Sequence, residues 1–580
     1  MINELANKVP TMIKYRPGTS IIDSWGFYCD SQDLDPDVED LFKLHLDPAF
    51  DGDGARSTQQ ARQWYQDYMR CIHDWIVHTF SESITRWNSR KVEFVFSVPT
   101  TWKDPSMIEH IYTLIGNAGF GKDGADGNLN IRSGDHRVSI GLTEAEAAAV
   151  YASKQEFEQN DVVLVCDAGG GTTDVNTLKL KSSRIEPTKL EQLSWVQGIP
   201  VGSMSIDRDV EELLVSRLVR VHHLVGPDLG TIAHEMMHGR FERFKCEFGT
   251  PASLSQPALA LQIPGLQPGI DVPDAMIENS RIEILRDELR AIFDVHIAKI
   301  LHLTDTQIDW VTQNKGANQI SHFVLSGGLG SSPYVKDRIR SHYTTGPGSE
   351  KPAVQNMEVR KVLEPQLAVT QGIVMDKAHV ISLGDEIIKE RCCRNSYGVV
   401  AAEKYVPGIK KHLDQPVRRD ARDGCNWVDD QIQWFIIQGQ KVTSDGVTRP
   451  YVIKRNPGSE YDPWKTDIVM SSLPKHQLPT NIHQHGSKKI CDVSSVLKNQ
   501  AVDMKLKNRR WWQTGDKYWR FRFDVKVIPG HADLRFNMLT KDKKVINEDH
   551  KAIEVIWQAA PETLPVPRPT DNVPLYSMET

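Results

Sequence analysis

The stretch Val162-Val163-Leu164-Val165-Cys166-Asp167-Ala168-Gly169-Gly170-Gly171-Thr172-Thr173-Asp174 decides the fold. Its first five residues form a continuous apolar, largely β-branched run, the pattern of a strand buried on both faces. Asp167 to Asp174 read as a turn, and Val175 to Leu180 as a second strand. Three consecutive glycines let the backbone turn tightly and present its N–H groups to an anion with no Cβ in the way. Carboxylates at both ends can hold a hydrated divalent cation beside phosphates. A glycine-rich hairpin without a ligand is the alternative. The bracketing Asp167 and Asp174, with Thr172 between them, favour the ligand site.

The surrounding sequence alternates strand and helix patterns. Lys91 to Val98 reads as a strand ending at Pro99, and Pro105 to Ala118 as a helix closed by Gly119. Thr143 to Tyr151 is helical by propensity and opens with a capping box, Thr143 with Glu146 three residues later. Residues 281–303 carry a helical apolar stripe, Ile320 to Leu325 a buried strand, and Pro333 to about His342 a helix. This alternation predicts an α/β fold. A second glycine turn, Ser326-Gly327-Gly328-Leu329-Gly330, links that strand to a helix starting at Pro333, a favoured first helical residue. A flat ligand can lie against such bare backbone. The turn is not a Walker loop, since no Gly-Lys-Ser/Thr follows, and it lacks Rossmann spacing.

Composition narrows the class. The 580 residues are 39% hydrophobic and 25% charged, with net charge −7, which excludes wholesale disorder and gives no reason for general nucleic-acid affinity. No stretch approaches a membrane span, and the start Met1-Ile2-Asn3-Glu4-Leu5 lacks a secretory pattern. Eight scattered cysteines without a Cys-x-x-Cys pair read as reduced thiols, so the expected compartment is the cytoplasm, or the nucleus. Residues 1–380 carry the α/β pattern and 381–558 a β-rich, aromatic pattern; 559–580 form a proline-rich tail.

Several segments resemble, in order, the actin-like ATPases and, within them, the DnaK-type heat-shock protein 70 family. Asp167–Asp174 is similar to that family's second phosphate loop, and Gly327–Pro333 to its adenosine loop. Ser97-Val98-Pro99-Thr100 and Thr143–Ala149 resemble a strand and the first crossing helix of its first lobe. Residues 365–372 resemble the second crossing helix, and Glu242-Arg243-Phe244-Lys245 the helix beside adenine. The resemblance covers residues 9 to about 376. It implies a two-lobed, ribonuclease H-like nucleotide-binding domain followed by a β-rich domain, with ATP or ADP and Mg2+ as cofactors. Client polypeptides or co-chaperones are the implied partners, with neither nucleic acid nor membrane among them.

Carried over residue by residue, the resemblance implies that Asp167 holds the magnesium shell and Asp174 orients water beside it. Glu144 reaches the metal's water shell, and Lys43 positions the attacking water. Thr172 and the amides of Gly169, Gly170 and Gly171 grip the β- and γ-phosphates, while Gly327, Gly328, Glu242 and Lys245 frame the nucleoside. The family opens with a hairpin carrying an Asp-x-Gly-Thr-Thr loop. Here Val9-Pro10-Thr11 resembles the segment after that hairpin, which implies a missing first phosphate loop. Either the chain lacks it or its start has been lost.

Two rival signals need an answer. His234-Glu235-Met236-Met237-His238 matches the zincin helix motif, but no third histidine follows in metzincin register, and solvated helix histidines are the preferred reading. Arg509 to Phe523 alternates arginine with aromatics; a half-exposed β-hairpin turning at Thr514-Gly515-Asp516 accounts for it. The expected function is an ATP-binding, chaperone-like protein whose cleft nucleotide gates a C-terminal surface. A non-hydrolysing scaffold or sensor is the first alternative, and a small-molecule kinase of the same superfamily the second.

Overall fold

The computed structural model describes residues 8–557 apart from 30–36, 48–56, 101, 103–104, 122–135, 156, 227, 317–318, 444, 496–502, 511, 513–514, 531–533, 541 and 544–552. The fold is mixed α/β, with several sheets. β1 (Met12–Tyr15) pairs antiparallel with β2 (Ile22–Trp25) on one side and β3 (Val38–Asp40) on the other. β4 (Val92–Val98) and β5 (His136–Thr143) form a separate parallel pair. Helices α1 (Thr58–Ser83) and α2 (Pro105–Asn117) pack over these strands through Trp64, Tyr68, Ile111 and Ile115.

The centre of the molecule is an eight-stranded sheet. β6 (Val162–Ala168) and β7 (Thr173–Leu180) pair antiparallel, and β7 also pairs with β8 (Leu190–Gln192) and β9 (Gln197–Ile199). β6 is buried along nearly its whole length because both faces are covered, as its unbroken apolar run requires. A small sheet of β10 (Ala258–Gln262), β11 (Ile277–Glu278) and β12 (Arg281–Leu285) follows. On the far side of β6 the central sheet continues in parallel with β13 (His322–Ser326) and β14 (Glu358–Lys361).

The helix expected over 281–303 begins later. Residues 281–285 are β12, and the helix runs Arg286–Lys315, opened by Glu288 accepting from the Leu285 amide at 2.8 Å. Ile282 and Ile284 are buried by period-two alternation, a pattern too short to separate from a helix stripe by sequence.

The capping box read at Thr143 is formed. Glu146 Oε2 accepts from the Thr143 amide at 3.0 Å, and Thr143 Oγ1 accepts from the Glu146 amide at 3.4 Å. The helix it opens, α3 (Glu144–Ala152), is buried from Ala145 to Ala152, and its alanines let helix Ala368–Leu383 cross at backbone contact. A Cβ on Gly372 of that second helix would lie 1.9 Å from the Ala147 carbonyl oxygen. Gly372→Ala should therefore push the helices apart and destabilise the chain by about 1–3 kcal/mol, the usual cost of overpacking. A urea titration following tryptophan fluorescence measures it; an unchanged midpoint would refute the close crossing.

The sheet does not stop at residue 380. β15 (Ile388–Cys392) pairs in parallel with β8, and after three intervening strands of chain, the first of them β16 (Ser396–Lys404), β19 (Lys441–Thr443) pairs antiparallel with β15. The boundary placed near 380 is thus crossed by backbone hydrogen bonds, among them Leu190 N–H to Ile387 O at 2.8 Å. The remaining chain builds two antiparallel sheets. In one, β17 (Val417–Arg419), β18 (Asn426–Ile436), β16, β21 (Trp464–Ser471), β22 (Lys488–Ser495) and β26 (Ile553–Trp557) lie in that order. In the other, β20 (Val447–Arg455), β24 (Tyr518–Pro529) and β23 (Asp503–Lys507) are joined by β25 (Leu534–Leu539), also on β24.

β23 and β24 pair as a hairpin, but β23 ends at Lys507, before Arg509, so only the Trp519–Phe523 half of the arginine–aromatic alternation lies in a strand; Phe521 and Phe523 there turn inward to the core. The proline-rich tail 559–580 lies outside the described residues. Among the described residues no helix is long and apolar enough to cross a membrane.

Candidate nucleotide site

The site forms where β6, β7 and β13 end. Asp167 and Asp174 face each other in register across the Gly169–Thr172 loop, and Ser326 of β13 is the neighbour of Asp167 on the other side. Glu144, first residue of α3, acts on both aspartates, and Lys43 Nζ pairs with Glu144 Oε1 at 2.6 Å. The fold thus gathers Lys43, Glu144, Asp167, Thr172 and Asp174, residues up to 131 positions apart (43 to 174), around one loop.

Three carboxylates share this space. Burial first, then Glu144, pushes the Asp167 carboxyl up to about 7; the nearby Ser326 hydroxyl and Lys8 oppose the shift. Ser326 Oγ itself is buried and makes no hydrogen bond of normal geometry. Asp174 is raised well above the ordinary carboxylate range by burial, then by Glu144 and Asp167, and opposed by Arg394 and Thr172. Thr172 Oγ1 donates to Asp174 Oδ2 at 3.4 Å, while Asp174 Oδ1 is buried without a partner. Such a cluster fits a hydrated divalent cation: the ion would favour the charged carboxylates and give the orphaned oxygen a partner.

The loop is held from behind. The first amides of helix α4 (Ser203–Leu218) donate to it, Ser203 N–H to Gly169 O at 3.1 Å and Met204 N–H to Gly170 O at 2.9 Å. A Cβ on Gly202 would lie 2.1 Å from the Gly170 carbonyl oxygen, so only glycine permits this approach. Gly169 N–H donates to Thr172 O at 2.9 Å and is spent within the turn. That differs from the expectation that all three amides grip phosphate; among the described residues, Gly170 and Gly171 keep theirs without a protein acceptor.

Gly327 adopts φ +81°, and a Cβ there would meet Ala168 O at 2.3 Å and Asp167 Oδ1 at 2.8 Å. The second glycine turn therefore abuts the first, with nothing within 4 Å of the Cβ position of Gly328. Lys245 is engaged: its ammonium binds both oxygens of Asp207 in α4, at 2.6 and 2.7 Å. Glu242 lies one turn earlier and acts electrostatically on Asp207.

The zincin-like segment is broken. Helix Leu229–Met236 ends before His238, whose ψ of 149° is extended, and Gly239 follows at φ +70°. Among the described residues, no group of three or more His, Cys, Asp or Glu side chains is placed to hold a metal ion, so a cation at the glycine loop would rest on the facing pair Asp167 and Asp174 through its water shell.

Sequence reasoning missed Gly202, Asp207 and Arg394. Gly202 was signalled by its place just before a helix start, but its partner loop is 32 residues away. Arg394 follows β15, is half-buried, donates to the Thr100 carbonyl and acts on Asp174, which brings a cation from beyond β15 of the central sheet to the site. Nothing local in Cys393-Arg394-Asn395 marks it.

Comparison with known proteins bears on this geometry. Across 303 residues the chain is 22% identical to human heat shock 70 kDa protein 12A, over 50% of this chain and 41% of that protein. The mouse protein of the same name matches equally, 22% over 306 residues. A heat shock 70 kDa protein of Neurospora crassa is 26% identical over 238 residues, 41% of this chain and 32% of that one. The chain is distantly similar to heat-shock-70-family proteins. The matches span about two-fifths of the length of the first relatives. A family model described as a domain of unknown function (DUF8568) matches residues 391–559, from β15 through β26.

Proposed function

We propose that this chain binds an adenine nucleotide with Mg2+ between the Gly169–Thr172 loop and the Gly327–Gly328 turn, in a two-lobed actin-like domain. The observation that carries the reading is the convergence of Asp167, Asp174 and Glu144, two of them held off their ordinary titration, beside glycine loops in backbone contact. Bound Mg2+ would supply charge neutralisation to the phosphates. Asp167 and Asp174 would hold its water shell, Gly170, Gly171 and Thr172 would donate to phosphate oxygens, and Gly328 would leave room for the nucleoside. Closure around nucleotide would move the crossing helices and gate the C-terminal β sheets, a chaperone-like cycle.

A non-hydrolysing sensor is the second reading, favoured by Lys43 being committed to Glu144 at 2.6 Å. Single-turnover hydrolysis of ATP separates the two. Under the hydrolytic reading, wild type turns over slowly and Lys43→Ala falls at least about 100-fold, the usual loss for one preorganised charge or donor. Turnover no faster than an Asp174→Asn control would leave the sensor.

A further inference from the structure

The two C-terminal sheets do not close completely on each other. Between them lies a cavity of about 380 Å3, within the range of small-ligand sites. Its walls are the inward side chains of Val399, Ile468, Phe523 and Phe536, all buried. Tyr451 stacks on Phe523 at 6.3 Å between ring centroids, and Trp464 lies against the same ring at 5.7 Å.

The mouth is cationic, and its cations differ in one respect. Arg418 is held by both oxygens of Asp429, Arg422 by Asp420, and Lys454 by Asp420 and Asp423. Arg455 also lines the cavity, and among the described residues it forms no ion pair with a carboxylate, whereas the charge of Lys465 acts on Asp492. Arg455 donates one Nη2 bond to the Asp462 carbonyl at 3.3 Å, and its guanidinium lies over the Trp464 ring at 5.5 Å. Its Nε is buried with no hydrogen-bond partner. An apolar cavity with aromatic walls and an unanswered guanidinium at its rim calls for a ligand with an apolar body and one anionic head.

We propose that this cavity binds a single-chain amphipathic carboxylate, its apolar chain between the sheets and its carboxylate on Arg455. The proposal is independent of the nucleotide reading, because no residue of that site lines the cavity.

The test titrates the full chain with decanoate and with decanol, by calorimetry and thermal shift. Decanoate should bind at one site and raise the melting temperature with concentration, and decanol at least tenfold more weakly. Arg455→Gln, at the partly exposed rim, should remove most of the preference while leaving decanol binding unchanged. Ala401→Leu, filling the cavity, should weaken both ligands at least tenfold; circular dichroism checks that it folds. No decanoate binding at millimolar concentration, or equal binding of the two ligands, would overturn the proposal. So would decanoate affinity that survives Arg455→Gln, or survives Ala401→Leu in a folded chain.

Discussion

Gly202→Val should abolish nucleotide binding while the C-terminal sheets stay folded. The Gly202 α-carbon faces the loop so closely that a Cβ would lie 2.1 Å from Gly170 O, 2.4 Å from its carbonyl carbon and 2.8 Å from the Gly171 nitrogen. All three are backbone atoms, which cannot swing aside as a flexible side chain can. The loop must move outward, and the bonds from Ser203 and Met204 to Gly169 and Gly170 stretch with it. A misplacement near 1 Å at a site of this kind costs on the order of 100-fold, and the bulk of valine exceeds that of alanine. The overpacking itself should cost about 1–3 kcal/mol of stability. Nucleotide-dependent thermal shift reads both effects: the apo melting temperature should drop modestly, and its rise with Mg·ATP should vanish. A variant that retains the wild-type rise would separate the glycine loop from the nucleotide.

Asp167→Asn should produce opposite effects on stability and on binding. In the unfolded chain this carboxyl titrates near its ordinary 3.8, whereas in the fold burial and Glu144 raise it to about 7. Between those values the native state holds more protons than the unfolded one, so its stability falls as pH rises through that window. Above about pH 7 the loss is complete, and its ceiling is roughly 4 kcal/mol, from about 1.4 kcal/mol for each unit. Asparagine removes the ionisation. The variant should therefore be more stable than wild type at pH 8 and equal to it near pH 4, in apo protein. Binding should run the other way, because the amide cannot supply the negative charge that a cation's water shell requires. Mg·nucleotide affinity in wild type should weaken as pH falls below about 7, and in Asp167→Asn it should be low throughout. Melting curves at pH 4 and pH 8, with and without Mg·ATP, give all four comparisons. A variant less stable than wild type at pH 8 would contradict the buried-charge account.

The parts of this site legible in sequence are those whose signals are local. β6 was legible because its residues are buried on both faces and therefore apolar without alternation, and the Thr143 capping box because its two partners are three residues apart. Gly202 and Arg394 act through contacts at long sequence separation, 32 residues to Gly170 and 220 to Asp174, so neither partner can be read locally, even though Gly202 stands at a helix start. β15 was hidden for a related reason. Ile388-Lys389-Glu390-Arg391-Cys392 carries three consecutive charged residues and no period-two apolar pattern, yet it adds to the central sheet beside β8. Arg391 is answered by one near and one distant partner: its Nη1 pairs with Glu386 at 3.1 Å, and its Nε lies 3.5 Å from Glu146 of α3. The 281–285 strand shows the opposite failure: Ile284 and Leu285 fit the helical stripe that continues through Leu289, and pairing with β10 instead makes them strand, with Ile282 and Ile284 buried and Leu285 exposed.

The most direct measurement of the central claim is an isothermal titration of the chain with ADP and with ATP, each with and without Mg2+, repeated on Asp167→Asn and Gly202→Val. The account predicts one nucleotide per chain, affinity that depends on Mg2+ in wild type, and loss of binding in Gly202→Val. No heat from wild type at millimolar nucleotide, or equal binding by wild type and Gly202→Val, would contradict it.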